Sequence, residues 1–145
     1  MGDGRIPDGS LASSSTKDGN TPASNGRLRY TGGQSWCPSS GDATPYLEID
    51  LGSSHIICVL ATQGNPQADE WTTQFKIEFS VNGTSWQYFQ SGGTDKASLA
   101  LVFTANSDRG TIVRQFLSNV LLAQYIRFRP VAWSGLGCLR TELFG

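Results

Sequence analysis

From residue 46 onward, apolar and polar side chains alternate with a period of two, and the alternating runs are short and end at turn residues. In Tyr46-Leu47-Glu48-Ile49-Asp50-Leu51, residues Leu47, Ile49 and Leu51 share one face while Glu48 and Asp50 share the other, the pattern of a half-buried strand. Phe75 to Phe79 alternates strictly, with Phe75, Ile77 and Phe79 inward. Asn82-Gly83 then supplies a hairpin turn, and Trp86 to Phe89 returns. Ile56 to Gln63 is more continuously apolar and predicts a strand buried on both faces, whereas Tyr125 to Arg129 alternates again up to Pro130. Leu99 to Phe103, Thr111 to Phe116 and Leu139 to Phe144 complete the set. No stretch supports a helix of ten residues. About eight strands with frequent turns predict an all-β fold, a sandwich or jelly roll.

Residues 1 to 45 break this texture. They are rich in Gly, Ser, Asp, Asn and Pro, with scattered apolar residues at Ile6, Leu11, Leu28, Tyr30 and Trp36. So long a structureless stretch is uncommon in a compact domain. Part of it is therefore expected to pack, through Ile6, Leu11 and Trp36. Nothing divides the chain, and residues 1–145 read as one domain. The opening Met1-Gly2-Asp3-Gly4-Arg5 lacks the apolar region of a signal peptide. The domain is accordingly cut from a longer precursor, exported by another route, or cytosolic.

Composition narrows the function. Charged residues are 16% and hydrophobic residues 38% of the chain, which argues against disorder. The net charge is −1 with basic residues scattered, so nucleic acid is not an expected partner. The single histidine, His55, opens a strand. Neither a nucleophile-elbow pattern nor a zinc-type Cys or His spacing occurs. The chain reads as a non-enzyme.

Three cysteines leave one over. Cys37 and Cys138 neighbour turn residues, whereas Cys58 lies in the apolar run Ile56 to Leu60. The simplest arrangement pairs Cys37 with Cys138 and leaves Cys58 as a core thiol. The alternative is three reduced thiols in a cytosolic protein.

Several segments, in order and at the usual spacing, carry a resemblance. They are Ile6-Pro7-Asp8 with Ala12-Ser13-Ser14, Trp36-Cys37-Pro38, Tyr46 to Leu51, Ala61-Thr62-Gln63-Gly64, Phe75 to Ser80 with Asn82-Gly83 and Trp86, Tyr125 to Pro130, and Leu139 to Gly145. Together they resemble the discoidin (coagulation factor V/VIII type C) family. The resemblance implies a distorted jelly-roll barrel of about eight main strands with ligand-binding loops at one end. It also supports the Cys37–Cys138 bridge. The cysteines by which many relatives join their termini are absent here. Gln67 to Thr73 is similar to the slime-mould discoidin lectins.

The family binds phosphatidylserine membranes, collagen, other proteins or galactose-type sugars. Membrane binding through inserted loop tips needs exposed apolar residues there. The first loop, Thr16 to Pro22, and the loop Gly64 to Glu70 are polar, so insertion is disfavoured. Of the collagen receptors' contact pattern, only a glutamate survives, matched by Glu70. The resemblance thus implies an extracellular or cell-surface recognition and adhesion module, part of a larger protein or a secreted soluble lectin. Its ligand is a cell-surface or matrix glycan or glycoprotein. A phosphatidylserine-binding domain and a carbohydrate-targeting accessory domain of a larger enzyme or receptor are the alternatives. The candidate ligand residues are Asp18, Asn20, Asn65, Asp69, Glu70 and Trp133. Asn25, Ser35 and Glu142 are the oxygen donors a structural calcium ion would use, although the carboxylate count is low. No other cofactor is implied. Asn82-Gly83-Thr84 is an N-glycosylation pattern on the hairpin turn.

Overall fold

The structure is a computed structural model, and it describes residues 7–90 and 100–145. Ile6 and Leu99 lie outside the described residues. Two short 3-10 turns, Asp8–Ser10 and Ala23–Asn25, accompany seven strands: β1 (Leu11–Ser13), β2 (Leu47–Gln63), β3 (Trp71–Ser80), β4 (Gln87–Tyr88), β5 (Phe103–Thr104), β6 (Val113–Ser134) and β7 (Arg140–Phe144). All strand pairs are antiparallel. They run in the order β1-β2-β6-β3-β4, with β5 on β3 and β7 on β2. The all-β expectation holds.

β2 has 17 residues and β6 has 22, where strands usually have 3 to 10. They pair from Leu47 with Phe128 to Thr62 with Val113, with register shifts between Asp50 and His55 and between Ile57 and Val59. Such irregularities bend a strand and increase its twist. At one end of β6, Val113 pairs with Thr62, and at the other end Ser134 pairs with Trp71. Thr62 and Trp71 flank a single turn, residues 64–70. Both ends of β6 therefore return to the same edge of the molecule, which makes the sheet fold over on itself as in a jelly roll.

The period-two alternation places the core. Leu47, Ile49, Phe75, Ile77, Ile126 and Phe128 are at most 1% exposed. Phe75 stacks on Phe103 at 5.1 Å between ring centroids and tilts against Phe128 at 5.5 Å. Leu11 and Trp36 pack into this core from the polar N-terminal segment. The strand from Ile56 is buried on both faces over Leu60 to Gln63, as expected, but its start is not, because Ile56 is 56% exposed. Ile56 pairs with Leu122, also exposed, on the outer face of the sheet. Cys58, beside the second register shift, is half-buried rather than in the core.

On the outer face of β2, β6 and β3, Glu48, Arg127 and Glu78 stand in one cross-strand row. The Arg127 guanidinium lies 4.3 Å from the Tyr46 ring centroid and 3.8 Å from that of Trp86, and its Nε donates to Glu48 at 2.8 Å. Trp86 Nε1 donates to the Gly83 carbonyl. Gly83 has φ of 80° and is pressed against the Tyr125 ring, so a glycine is needed at this turn. Asn82 is exposed here, and its Oδ1 accepts from the N–H groups of Thr84 and Ser85.

Candidate functional site

The shared edge is assembled from five segments: residues 16–25, 26–36, 64–70, 107–111 and 134–138. A disulfide joins Cys37 to Cys138, 101 residues apart, beside the antiparallel bridge between Trp36 and Leu139. Both cysteines are fully buried, so the bridge forms the floor beneath this edge.

The first segment turns through Asp18, whose Oδ1 accepts from the N–H of Asn20 at 2.8 Å. This is the side-chain mimicry that makes Asp a turn residue. Pro22 then leads into the short 3-10 turn, and the Asn25 amide donates to the carbonyls of Gln34 and Asn20. Across from it, the Tyr30 ring lies against Gly32, where a Cβ would sit 3.0 Å from the phenol oxygen. Between them opens a cleft of about 390 Å³, within the size range of small-molecule sites. Four residues that bear side-chain amides line it, Asn20, Asn25, Gln34 and Gln67. The Tyr30 ring, Pro22 and three glycines, Gly19, Gly32 and Gly33, complete the wall. Among the described residues, no carboxylate, ammonium, guanidinium or imidazole lines it. Such a surface offers paired donors and acceptors and one ring face, which suits a neutral polyhydroxylated ligand.

Other predicted residues lie beneath or beside the cleft. Asn65 is fully buried. Its Nδ2 donates to Glu70 Oε1 at 3.0 Å and to Gln34 Oε1 at 3.3 Å, and its Oδ1 accepts from the N–H groups of Ser35 and Gln67. Glu70 has a largely buried side chain that pairs with Lys17 at 3.5 Å and lies over the disulfide. Asp69 is exposed and pairs with Arg109 at 2.8 Å. Trp133, 38% exposed, stands opposite Thr72 and against Gly137. Gly135, at φ of 73°, brings the 134–137 turn onto the backbone of Asp69 and Glu70. The structure thus brings Asn20 and Asn25 to the cleft and sets Asn65 and Glu70 beside it through Gln34 and Gln67, whereas Asp69 and Trp133 are not among its lining residues. Asp18 holds its own turn.

Several residues that sequence reasoning missed build the site. Arg140 is 2% exposed, and its guanidinium donates to the carbonyls of Gly64, Tyr30 and Arg109, at 2.7, 2.8 and 2.8 Å. One side chain thereby ties three of the five segments together, and burial lowers its pKa from the ordinary arginine value. Gln63 likewise accepts from the N–H of Arg29 and donates to the carbonyl of Gly110. Asp108 holds the neighbouring turn by accepting from the Thr111 hydroxyl and N–H, which keep its carboxyl below the usual range. Of the cleft residues, the sequence singles out Asn20 and Asn25, while Tyr30, Gln34 and Gln67 carry no signal beyond residue type.

The candidate calcium donors take part in hydrogen bonds within the fold. Asn25 uses its amide nitrogen to hold two carbonyls. The buried Ser35 hydroxyl donates to the Trp36 carbonyl, and Glu142 sits on β7 with Oε1 accepting from the N–H of Leu143. A hard cation wants six to eight oxygens, and this set supplies one carboxylate. Cys37, Cys138 and Glu70 present ligand atoms within 4.8 Å of one another, but the two sulfurs are bonded to each other and neither is a thiolate. His55 is exposed on β2 opposite Ala123, with Nδ1 on the carbonyl of Ser53.

Comparison with known proteins agrees with this architecture. The profile described as "F5/8 type C domain" matches residues 10–143. Neuropilin-2 from Homo sapiens is 33% identical over 150 residues, which is 100% of this chain but only 16% of Neuropilin-2. The structure of discoidin II from Dictyostelium discoideum superposes with a TM-score of 0.81 at 22% identity, over 92% of this chain and 52% of that one. The family 32 CBM from C. perfringens NanJ, solved in complex with galactose, superposes with a TM-score of 0.69 at 16% identity, over 95% of this chain and 96% of that one.

Proposed function

The chain belongs to the F5/8 type C domain family, and on that premise we propose that it is a non-enzymatic recognition and adhesion module that binds a cell-surface or matrix glycan, free or on a glycoprotein, in the cleft beside Tyr30. The observation that carries this reading is the cleft lining: among the described residues, four that bear side-chain amides and one tyrosine. Amides offer a donor and an acceptor side by side, which matches the vicinal hydroxyls of a sugar, and an aromatic face covers the sugar's C–H surface. Proton transfer needs a positioned acid or base, and no carboxylate or imidazole is among the described residues of this lining.

Three further points support the reading. The structural neighbour from NanJ was solved with galactose, so galactose-terminated glycans are the first candidates. The 17–22 and 65–70 turns carry no large apolar side chain, so the edge is unsuited to lipid insertion. The Cys37–Cys138 bridge suits an oxidising compartment, as expected of a domain working outside the cell or on its surface.

A glycan array containing galactose- and N-acetylgalactosamine-terminated glycans tests this, with Tyr30→Ala and Asn20→Ala variants run beside the parent and each run repeated with EDTA. The expected result is binding that survives EDTA and falls about tenfold or more with Tyr30→Ala, equivalent to about 1.4 kcal/mol. A blank array with folded protein, or binding untouched by both variants, contradicts the reading.

A further inference from the structure

Ten large apolar side chains are exposed among the described residues, and five of them, Ile56, Phe116, Val120, Leu122 and Phe144, gather on one stretch of sheet. The register places them together. Val59 of β2 stands opposite Phe116 of β6 on one side and opposite Phe144 of β7 on the other, and Ile56 stands opposite Leu122. Directly opposite residues of an antiparallel pair present their side chains to the same face. Ile57, Leu60 and Leu121 belong to the core, so Ile56, Val59 and Leu122 beside them face the other way. Strand alternation sets Val120 on the same side as Leu122.

The size of this patch suits a particular kind of contact. Exposure runs from 38% at Phe144 to 77% at Phe116. At about 200 Å² for each large apolar side chain, the five expose roughly 500–600 Å² of apolar surface. That is the top of the range for the largest patch on a monomer, about 300–600 Å². A standard interface takes about 800 Å² from each partner, about 65% of it apolar in homodimers, or roughly 500 Å². The patch therefore supplies the apolar centre of one half of such an interface, with the exposed Ser54, His55, Ser118 and Asn119 as its polar neighbours.

The charge pattern selects the occupant. No Asp, Glu, Lys or Arg occurs in residues 52–63 or 115–123, and Arg140 and Glu142 of β7 are buried. A face that meets its own copy brings each of its charges against a like charge, and this face has none to repel. A surface that docks on anionic lipid rings its apolar residues with Lys and Arg, which are absent here.

We propose that this face joins two copies of the chain across a twofold axis, the same patch serving both partners. None of the five residues lines the Tyr30 cleft, so the pairing stands independently of the glycan reading. It gives one particle two clefts, and a weak site gains avidity in that way.

Sedimentation velocity over about 1–100 µM tests this with the parent, Phe116→Asp and Leu122→Lys. Val81→Asp, at an exposed apolar residue of the β3–β4 turn, is the control. The parent is expected to form a reversible dimer whose melting temperature rises with concentration. Each substitution enters a twofold interface twice, so Phe116→Asp and Leu122→Lys should each weaken association about a hundredfold or more. Both should keep the β-sheet circular dichroism and a cooperative melt, because the side chains they replace are exposed. Val81→Asp should leave the dimer intact. A parent that stays monomeric to the highest concentration, or a dimer indifferent to both patch substitutions, overturns the inference. So does a monomer that floats with phosphatidylcholine–phosphatidylserine vesicles, which would assign the patch to a lipid surface instead.

Discussion

Asn65 shows how far a residue's type underdetermines its role. It reads as a ligand contact because amides recognise sugars, yet it is fully buried and engages Glu70, Gln34, Ser35 and Gln67. Replacing it by Leu strands those partners, so Asn65→Leu should cost about 2–3 kcal/mol and lower the denaturant midpoint without changing the m-value. Asp69→Ala removes only an exposed ion pair with Arg109 and should cost about 1 kcal/mol at most. Comparable losses in the two variants would contradict the assignment of Asn65 as the positioning residue. The distinction was not legible in the sequence, where Asn65 and Asp69 occupy the same polar loop. It depends on Ser35 and Gln34 arriving from 30 residues away. Tyr30, Gln34 and Arg140 escaped for the same reason: each acquires its role from segments far along the chain.

At the scale of elements, alternation was the legible signal. Leu47 with Ile49, Phe75 with Ile77, and Ile126 with Phe128 point inward as their period-two spacing demands. What the pattern could not express is continuity. β2 and β6 each run through register shifts as single long strands, and a bulge changes which face a residue occupies. Ile56, in an apolar run, stands half in solvent, while Leu60 to Gln63 beyond the second shift are buried on both faces. The cysteine reading was legible because Cys37 and Cys138 sit at turns and Cys58 within a strand. The bridge spans 101 residues, for which the chain-entropy account gives about 4–5 kcal/mol. The double variant Cys37→Ala/Cys138→Ala should therefore unfold at a clearly lower temperature than the parent, while Cys58→Ser should differ little. An unchanged melting temperature in the double variant would mean that the N-terminal segment is held by its other contacts, those of Leu11, Trp36 and the Thr141–Gly26 pairing.

The whole molecule divides its work between two kinds of region. The folded-over sheet carries the apolar core and an outer ladder of Arg127 between Tyr46 and Trp86, whereas the edge to which both ends of β6 return carries the cleft. A rigid scaffold presenting variable loops is how one fold serves many ligands, so the family was readable from scattered strand residues while the ligand was not. The central claim is that recognition happens at the Tyr30 cleft. Its most direct test is a titration of isotope-labelled protein with galactose, followed by backbone and side-chain amide NMR shifts. Saturable shifts confined to Asn20, Asn25, Tyr30 to Gln34 and Gln67 are the predicted result. Shifts centred on the turn around Asn82 or on β2 around His55, or no shifts at saturating sugar, would contradict it.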